Sequence, residues 1–594
     1  MFIDQFCLNI LNIFLASEDY EKMGIEKANI HVIGVNQNNI YNLEHIKEQS
    51  ILFITQPDLA IFQKIIEVQF LISSLIKGIE SNIIFIPGES YSIIEFMISN
   101  DLINRFNIYS FYVNILPLDN DLLSLEKDNC FKEIYIDKNL TSISELASAF
   151  VKIESCFGKV KHKYIKGDNS KIFETLVNEK EKENDLKVTD EILGMIVLDR
   201  SVDFLTTLTS NYTYEGLIDQ FFGINLGTIK IKESFVKDIK VQNPDQEKTV
   251  SYPLSSFKNK FYSKIGCMHY LDANNYILKL DKYFREKAKE TKSIKKLEEF
   301  SKSLNEVEKY TKEIKAPLDT NINIISYIID NVYNEENLLF TKMEQLLLSA
   351  QFPPNLHLFY DDYICNKLDL NKILRLMAIE SLTQGGIQNY NIIKRDILNI
   401  YGYQNIFLFR DLEELGWLKG KTYIKNLIEM SYSQLFEKLE LVNASPNEKK
   451  VENCSYILSG FCPISLRLIE KAVEGKWNKI QDIIKKMPGE CSFPIDETEI
   501  SKPTKEVNTI FVVFVGGVTY SEIEGIRFLN RKFKEAYDKN KNKKATRTQL
   551  IIITTGILST KKIFSSLGKK IISTYSMKQF HENNKNNENK QNKP

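Results

Sequence analysis

Three near-continuous apolar runs constrain this chain more than any other feature: GMIVLDR (194–200), NTIFVVFVGG (508–517) and TQLIIITTG (548–556). A strand that is apolar at every position is buried on both faces, and such strands belong to parallel sheets covered by helices. The second and third runs flank SEIEGIRFLNRKFKEAYD, whose helical spacing completes a strand–helix–strand unit. The first run lies far upstream. The simplest assembly joins 138–245 and 481–576 into one discontinuous α/β domain and leaves 246–480 as an insertion.

The N-terminal part repeats the alternation. NIHVIGV (29–35), ILFIT (51–55), NIIFIPG (82–88) and FYVNILPL (111–118) read as buried strands. The stretches AIFQKIIEVQFLISSLIKGI and SIIEFMISNDLINRF between them have helical spacing. A first α/β domain is therefore placed at 1–137. TSISELASAFVKIESCFG is expected to open the second as a helix, with Thr141 as N-cap and Glu145 in the first turn. The end, MKQFHENNKNNENKQNKP (577–594), is too polar to offset its ordering entropy and is expected to be disordered.

Charge and composition remove several function classes. Lys plus Arg number 77 against 78 Asp plus Glu, so no basic excess points to nucleic acid. The eight cysteines include no CxxC pair and the six histidines no paired spacing, so neither a metal site nor a cofactor is expected, and the thiols are read as reduced. MFIDQFCLNILNIFLASEDY carries Asp4 where a secretion signal would be basic, and reads instead as a helix of the folded domain. No run of about 18 apolar residues occurs, so any membrane association is expected to be indirect, through partners.

The insertion 246–480 is mostly helical in pattern. Leu297, Phe300, Leu304, Val307, Tyr310 and Ile314 recur every three or four positions and draw one apolar stripe on a helix. Pro317 is expected to stop that helix and a second to begin after Thr320, forming a helical hairpin near 282–350. The stripe either packs on its own domain or offers a groove for a partner helix.

Motifs for chemistry are weak. No Walker A, HExxH, GxSxG or GxGxxG sequence occurs. VGGVT (515–519) has the strand-to-helix position of a phosphate turn but lacks its lysine, so Gly516 and Gly517 read as a tight turn. Gly385 and Gly386 are expected to end one helix and Asn389 to help start the next. Asp199 and Asp203 flank Arg200. As a catalytic pair they lack a nucleophile, and the arginine would hold both ionised. A buried structural network is the better reading, and no enzymatic activity is expected.

LDRSVDFLTTLTSNYTYEGLIDQFFGI, with Asp199, Arg200, Asp203, Tyr214, Glu215 and Gly216, closely resembles the signature of the SM (Sec/Munc-like) family. ILPLDNDLLSLEKDNCFKEIYID, LRLMAIESLTQGG, IKRDILNIYGYQ, YILSGFCPISLRLIE, VVFVGGVTYSEIEGIRFL and LIIITTG resemble successive parts of the same family, in order over about 50–570. Thr207 and Tyr212 depart from it, standing where members usually have proline and leucine. TYEGLIDQFFGI is most similar to the branch that forms the SM subunit of the HOPS and CORVET tethering complexes. The resemblance implies a three-domain α/β arch with a large helical insertion, SNARE proteins as partners, and templating of SNARE assembly. It further implies docking to a vacuolar protein sorting-associated protein 16-like subunit beside other HOPS/CORVET subunits. Tyr456, Phe461, Pro463 and Leu466 are the candidates for that tether interface, and the 297–314 stripe for SNAREs. The chain is then expected in the cytoplasm, recruited peripherally to late endosome, lysosome or vacuole. The alternatives are a tether assembly subunit without direct SNARE binding and, further off, a nucleotide-binding protein using the GGVT turn.

Overall fold

A computed structural model describes residues 1–15, 22, 30–34, 50–76, 78–113, 115–183, 192–236, 248–254, 260–293, 315–421, 432–442, 454–457, 460–494, 507–539 and 547–568. Buried apolar strands pair in parallel, as their composition requires. The first sheet has the order 31–33, 2–4, 50–55, 80–85, 107–110, and each pairing in it is parallel. Helices Gln5–Phe14, Leu59–Leu75 and Tyr91–Ser99 belong to this unit. Around Phe53, Phe62, Phe85 and Phe106 it has a buried cluster of its own. The N-terminal stretch begins with a strand, Phe2–Asp4, and only then turns helical. Asp4 makes the turn possible: its Oδ1 accepts the Cys7 N–H (2.7 Å) and its Oδ2 the Gln56 N–H (2.6 Å).

The second sheet has seven strands in the order 491–492, 162–166, 192–199, 507–515, 547–554, 122–124, 116–119. The run 507–515 sits between 192–199 and 547–554, parallel to both. The three apolar runs thus form the sheet's centre, and the outermost pairings are antiparallel. Residues 116–124, placed by sequence in the first unit, add two strands here, through the pairing of Leu122 with Ile552. FYVNILPL is not one strand. Phe111 and Tyr112 are exposed, and only Leu116–Asp119 pairs.

Between 199 and 507 the chain is mostly helical among the described residues. Helices Tyr270–Ser293 and Lys315–Val332 pack on each other. The second is described from Lys315, upstream of the expected start after Thr320, so Pro317 lies within it. Helix Leu370–Gln384 runs through the middle of the insertion, with Leu374, Leu376, Met377, Ala378 and Ile379 buried on successive faces. Gly385 ends it in the left-handed region (φ 73°). Asn389 precedes the next helix with φ 56° but makes no capping bond through its side chain. Thr141 is not a cap either: Leu140 occupies that position, and helix Thr141–Phe157 starts one residue after it.

Candidate functional site

Strand Ile192–Asp199 ends in a buried polar junction. Asp199 Oδ1 accepts from the Tyr135 hydroxyl and from the Ser201 N–H (3.0 Å), and Oδ2 from the Asn169 N–H (2.9 Å). Arg200 is 1 % exposed. Its shorter salt bridge is to Glu522, 2.6 Å away, and it also donates to the Asp203 carbonyl (2.5 Å). The Arg200–Asp203 carboxylate distance is 3.8 Å. Asp203 instead accepts from Thr206 N–H (3.1 Å) and Oγ1 (2.7 Å), and from Ser465 N–H (3.1 Å). Burial pushes the Asp203 carboxyl above its ordinary range, with Arg200 pulling the other way. The expectation that Arg200 holds both aspartates is corrected for Asp199: Arg200 pairs closely with Glu522 and more distantly with Asp203, and both aspartates accept mainly from backbone N–H groups and hydroxyls.

Glu522 escaped the sequence reading although a signal was present. Thr519-Tyr520-Ser521-Glu522 is a T-x-x-E pattern, and the Glu522 carboxylate accepts the Thr519 N–H (3.0 Å) while Thr519 Oγ1 accepts the Glu522 N–H (3.4 Å). Ser465 Oγ donates to the other Glu522 oxygen. One capping residue thus ties 200–203, 464–466 and 519–522 together. The glycines before it are a tight turn: Gly516 (φ 91°) lies against Tyr135 and Gly517 (φ 103°) against Leu558, leaving no room for side chains there.

The remaining signature residues form a second junction. Tyr214 is buried and donates to Asn321 Oδ1 of the insertion (2.7 Å). Glu215 accepts from Arg527 (2.9 Å), which also reaches Asp119 (2.7 Å), Asp121 (3.3 Å) and Glu524 (2.7 Å). Burial raises Glu215 well above the carboxylate range, despite Arg527. Gly216 is required by contact, because a Cβ there would meet the Asn211 side chain. Nearby, Ser210 N–H and Oγ both donate to Glu344 (2.5 and 2.9 Å), which Arg375 also holds (3.0 Å). Thr207 donates to the Phe204 carbonyl (2.7 Å) and Tyr212 stacks near His269. Polar pairs thus pin the signature segment to the helical insertion on one side and to the C-terminal strands on the other. The arrangement fixes relative positions, and its carboxyl groups are engaged by backbone N–H groups, hydroxyls and arginines.

The other candidates fall elsewhere. Leu297, Phe300, Leu304, Val307, Tyr310 and Ile314 lie outside the described residues. Phe461 and Leu466 are core, at 3 % and 0 % exposed, and buried Pro463 precedes helix Ile464–Val473. Leu466 packs so closely on Gly525 that a Cβ at Gly525 would overlap it, which is why these side chains cannot form a docking surface. Tyr456 lies in the turn Cys454–Ile457. Among the described residues no His, Cys, Asp or Glu cluster is placed to hold a metal, and no helix is long and apolar enough to cross a membrane.

A Sec1 family sequence model matches residues 1–566. The chain belongs to the Sec1 family. Sec1-family relatives include the vacuolar protein-sorting-associated protein 33 homolog of Arabidopsis thaliana, 25 % identical, covering 82 % of this chain and 81 % of that one. Vacuolar protein sorting-associated protein 33A of Rattus norvegicus is 26 % identical, covering 81 % and 82 %. In structure the chain is similar to the SM protein Vps45 in complex with the Qa SNARE Tlg2 (TM-score 0.59, 14 % identity, 95 % and 93 % covered). It is also similar to the Unc18–syntaxin 1 complex from Monosiga brevicollis (TM-score 0.59, 11 % identity, 96 % and 95 % covered). The fold is the α/β arch of these Sec1/SM proteins, with one parallel and one mainly parallel sheet and a large helical insertion.

Proposed function

We propose that the chain is an SM-type SNARE-binding protein that acts in vesicle tethering and membrane fusion, templating SNARE assembly as a subunit of a HOPS/CORVET-like complex at late endosome, lysosome or vacuole. The observation that carries this reading is the match to proteins named vacuolar protein sorting-associated protein 33, which runs over about four fifths of both chains. Fold neighbours solved with a Qa SNARE and with syntaxin support the SNARE half. A SNARE helix is unstable alone, so a rigid surface that orders two of them removes part of the entropy cost of assembly. The described helices Tyr270–Ser293 and Lys315–Val332 offer exposed Leu278, Tyr283 and Tyr327. Docking to a vacuolar protein sorting-associated protein 16-like subunit is assigned to the insertion's surface, whose exposed apolar side chains include Ile392, Tyr403 and Ile406.

The test offers the purified chain, separately, a C-terminal fragment of its vacuolar protein sorting-associated protein 16-like partner and a late-endosomal SNARE motif. Capture of both is expected. Capture of the tether fragment alone would leave an assembly subunit that does not touch SNAREs. Capture of neither would remove the proposal.

A further inference from the structure

Arg527 sits where three segments meet, and it answers more carboxyls than one guanidinium can neutralise. It pairs with Asp119 (2.7 Å) and Asp121 (3.3 Å) of the hairpin 116–124 and with Glu215 (2.9 Å) of helix Tyr214–Phe222. It also pairs with Glu524 (2.7 Å) on its own helix, Tyr520–Lys539. One positive charge thus faces four acids. Glu215 and Glu524 touch one another as well, carboxyl to carboxyl, at hydrogen-bond range. Two carboxylates only accept, so this contact requires a proton on one of them. Glu524 Oε2 is buried and accepts from no N–H or neutral O–H of the described residues, which leaves a protonated Glu215 as the donor placed to fill it.

The surroundings fit that protonation. Tyr262 of helix Lys260–Ile265 and Tyr520 face Glu215, and Cys267 lies near both glutamates. Burial raises Glu215 well above the carboxylate range and Asp121 above its own, and Arg527 is the cation that opposes this at each. Arg531, Lys534 and Arg547 line the same cleft of about 300 Å³, through which the cluster exchanges protons with solvent. The hairpin matters because of where it stands. It carries the chain from the last strand of the first sheet, 107–110, into the second sheet, where Leu122 pairs with Ile552. Leu116 of the same hairpin packs against Ile3, Ile54 and Ile86 of the first unit.

We infer that the Arg527 cluster is a proton-operated joint: with a proton held between Glu215 and Glu524 it clamps the hairpin 116–124, and with it the first unit, to helices 214–222 and 520–539, and loss of that proton loosens the clamp. A carboxyl whose folded pKa is raised contributes stability that is full below the ordinary glutamate range and is lost as pH rises through the folded value. The joint therefore weakens on the alkaline side. One shared proton sets a slope of about tenfold in the released population for each pH unit above that value. The joint is built from contacts within the chain and does not depend on what the chain binds. The test is hydrogen exchange read by mass spectrometry on the full chain at about pH 6 and about pH 9, corrected for the intrinsic exchange rate at each pH. Protection of peptides covering 116–125 is expected to fall by about tenfold or more between the two, while 507–515 at the centre of the sheet keeps its protection. Glu524→Gln and Glu215→Gln each put a neutral amide into the pair, and the fall is expected to shrink to about twofold or less. Protection unchanged in the native chain, a fall shared equally by 116–125 and 507–515, or an undiminished fall in both variants would overturn the inference. If either variant fails to fold, the native chain's comparison of 116–125 with 507–515 still decides.

Discussion

Asp199 shows what a signature residue does when it is not a catalyst. It serves three donors from three segments, and Gly167 (φ 105°) presses so near that a Cβ there would overlap Asp199 Cβ. Asp199→Ala is expected to destabilise the protein by about 1–3 kcal/mol, the range for stranding buried partners. Urea midpoints would measure it, and an unchanged midpoint with lost partner binding would make Asp199 a contact residue instead. Glu380 makes a different prediction. Burial lifts its carboxyl from 4.5 to about 7, although a hydrogen bond from the Tyr360 hydroxyl (2.9 Å) opposes this. A carboxyl with a raised folded pKa holds its proton more tightly when folded. Its stabilisation is full below about 4.5 and is lost as pH rises through about 7. Glu380→Gln should therefore raise the melting midpoint more at pH 8 than at pH 5. An equal effect at both would show that Glu380 is not titrating there. At this scale the signature residues were legible as a buried network, while Glu522 and Arg527 were not. Both sit on a helix whose apolar spacing hid which polar side chains turn inward.

Elements were legible where a run is long and uniformly apolar, and less so where pairing is short. The central strands 192–199, 507–515 and 547–554 could be read from composition alone. Strand Leu116–Asp119 was legible only as the end of a longer run, 111–118, and Cys491–Ser492 was not, because an edge strand needs only a few residues and no complete apolar face. Helix starts failed for a related reason. Thr141 and Pro317 each fit the residue preference of a boundary, but preference is worth less than packing. The 297–314 stripe belongs to this scale. Leu304, Val307 and Tyr310 replaced together by Asp are expected to abolish SNARE-motif capture and leave the far-UV spectrum and melting midpoint intact. A collapsed midpoint would mean that the stripe is core, and the binding surface would have to be sought on helices Tyr270–Ser293 and Lys315–Val332.

The whole molecule is held by a discontinuous sheet, so its centre cannot form until residues after 507 return to strand 192–199. The first sheet escapes that dependence. Its own cluster around Phe53 and Phe85 is separate from the large core, and a small third cluster joins the two. Ile3, Cys7, Ile10, Ile54 and Ile86 of the first unit there meet Leu116 and Leu226 of the second. Leu226 is 3 % exposed and lies outside the sheets, so it can be changed without breaking a strand. A buried carboxylate without a partner is strongly unfavourable, so Leu226→Asp opens the seam rather than either core. The expected result in scanning calorimetry is a split of one cooperative transition into two, as the first sheet and the remainder come to melt separately. SNARE capture should fall in the same variant if partner helices bridge both units, since they would then lie at no fixed distance. A single transition, merely shifted down, would mean that the two sheets are coupled through more contacts than this seam.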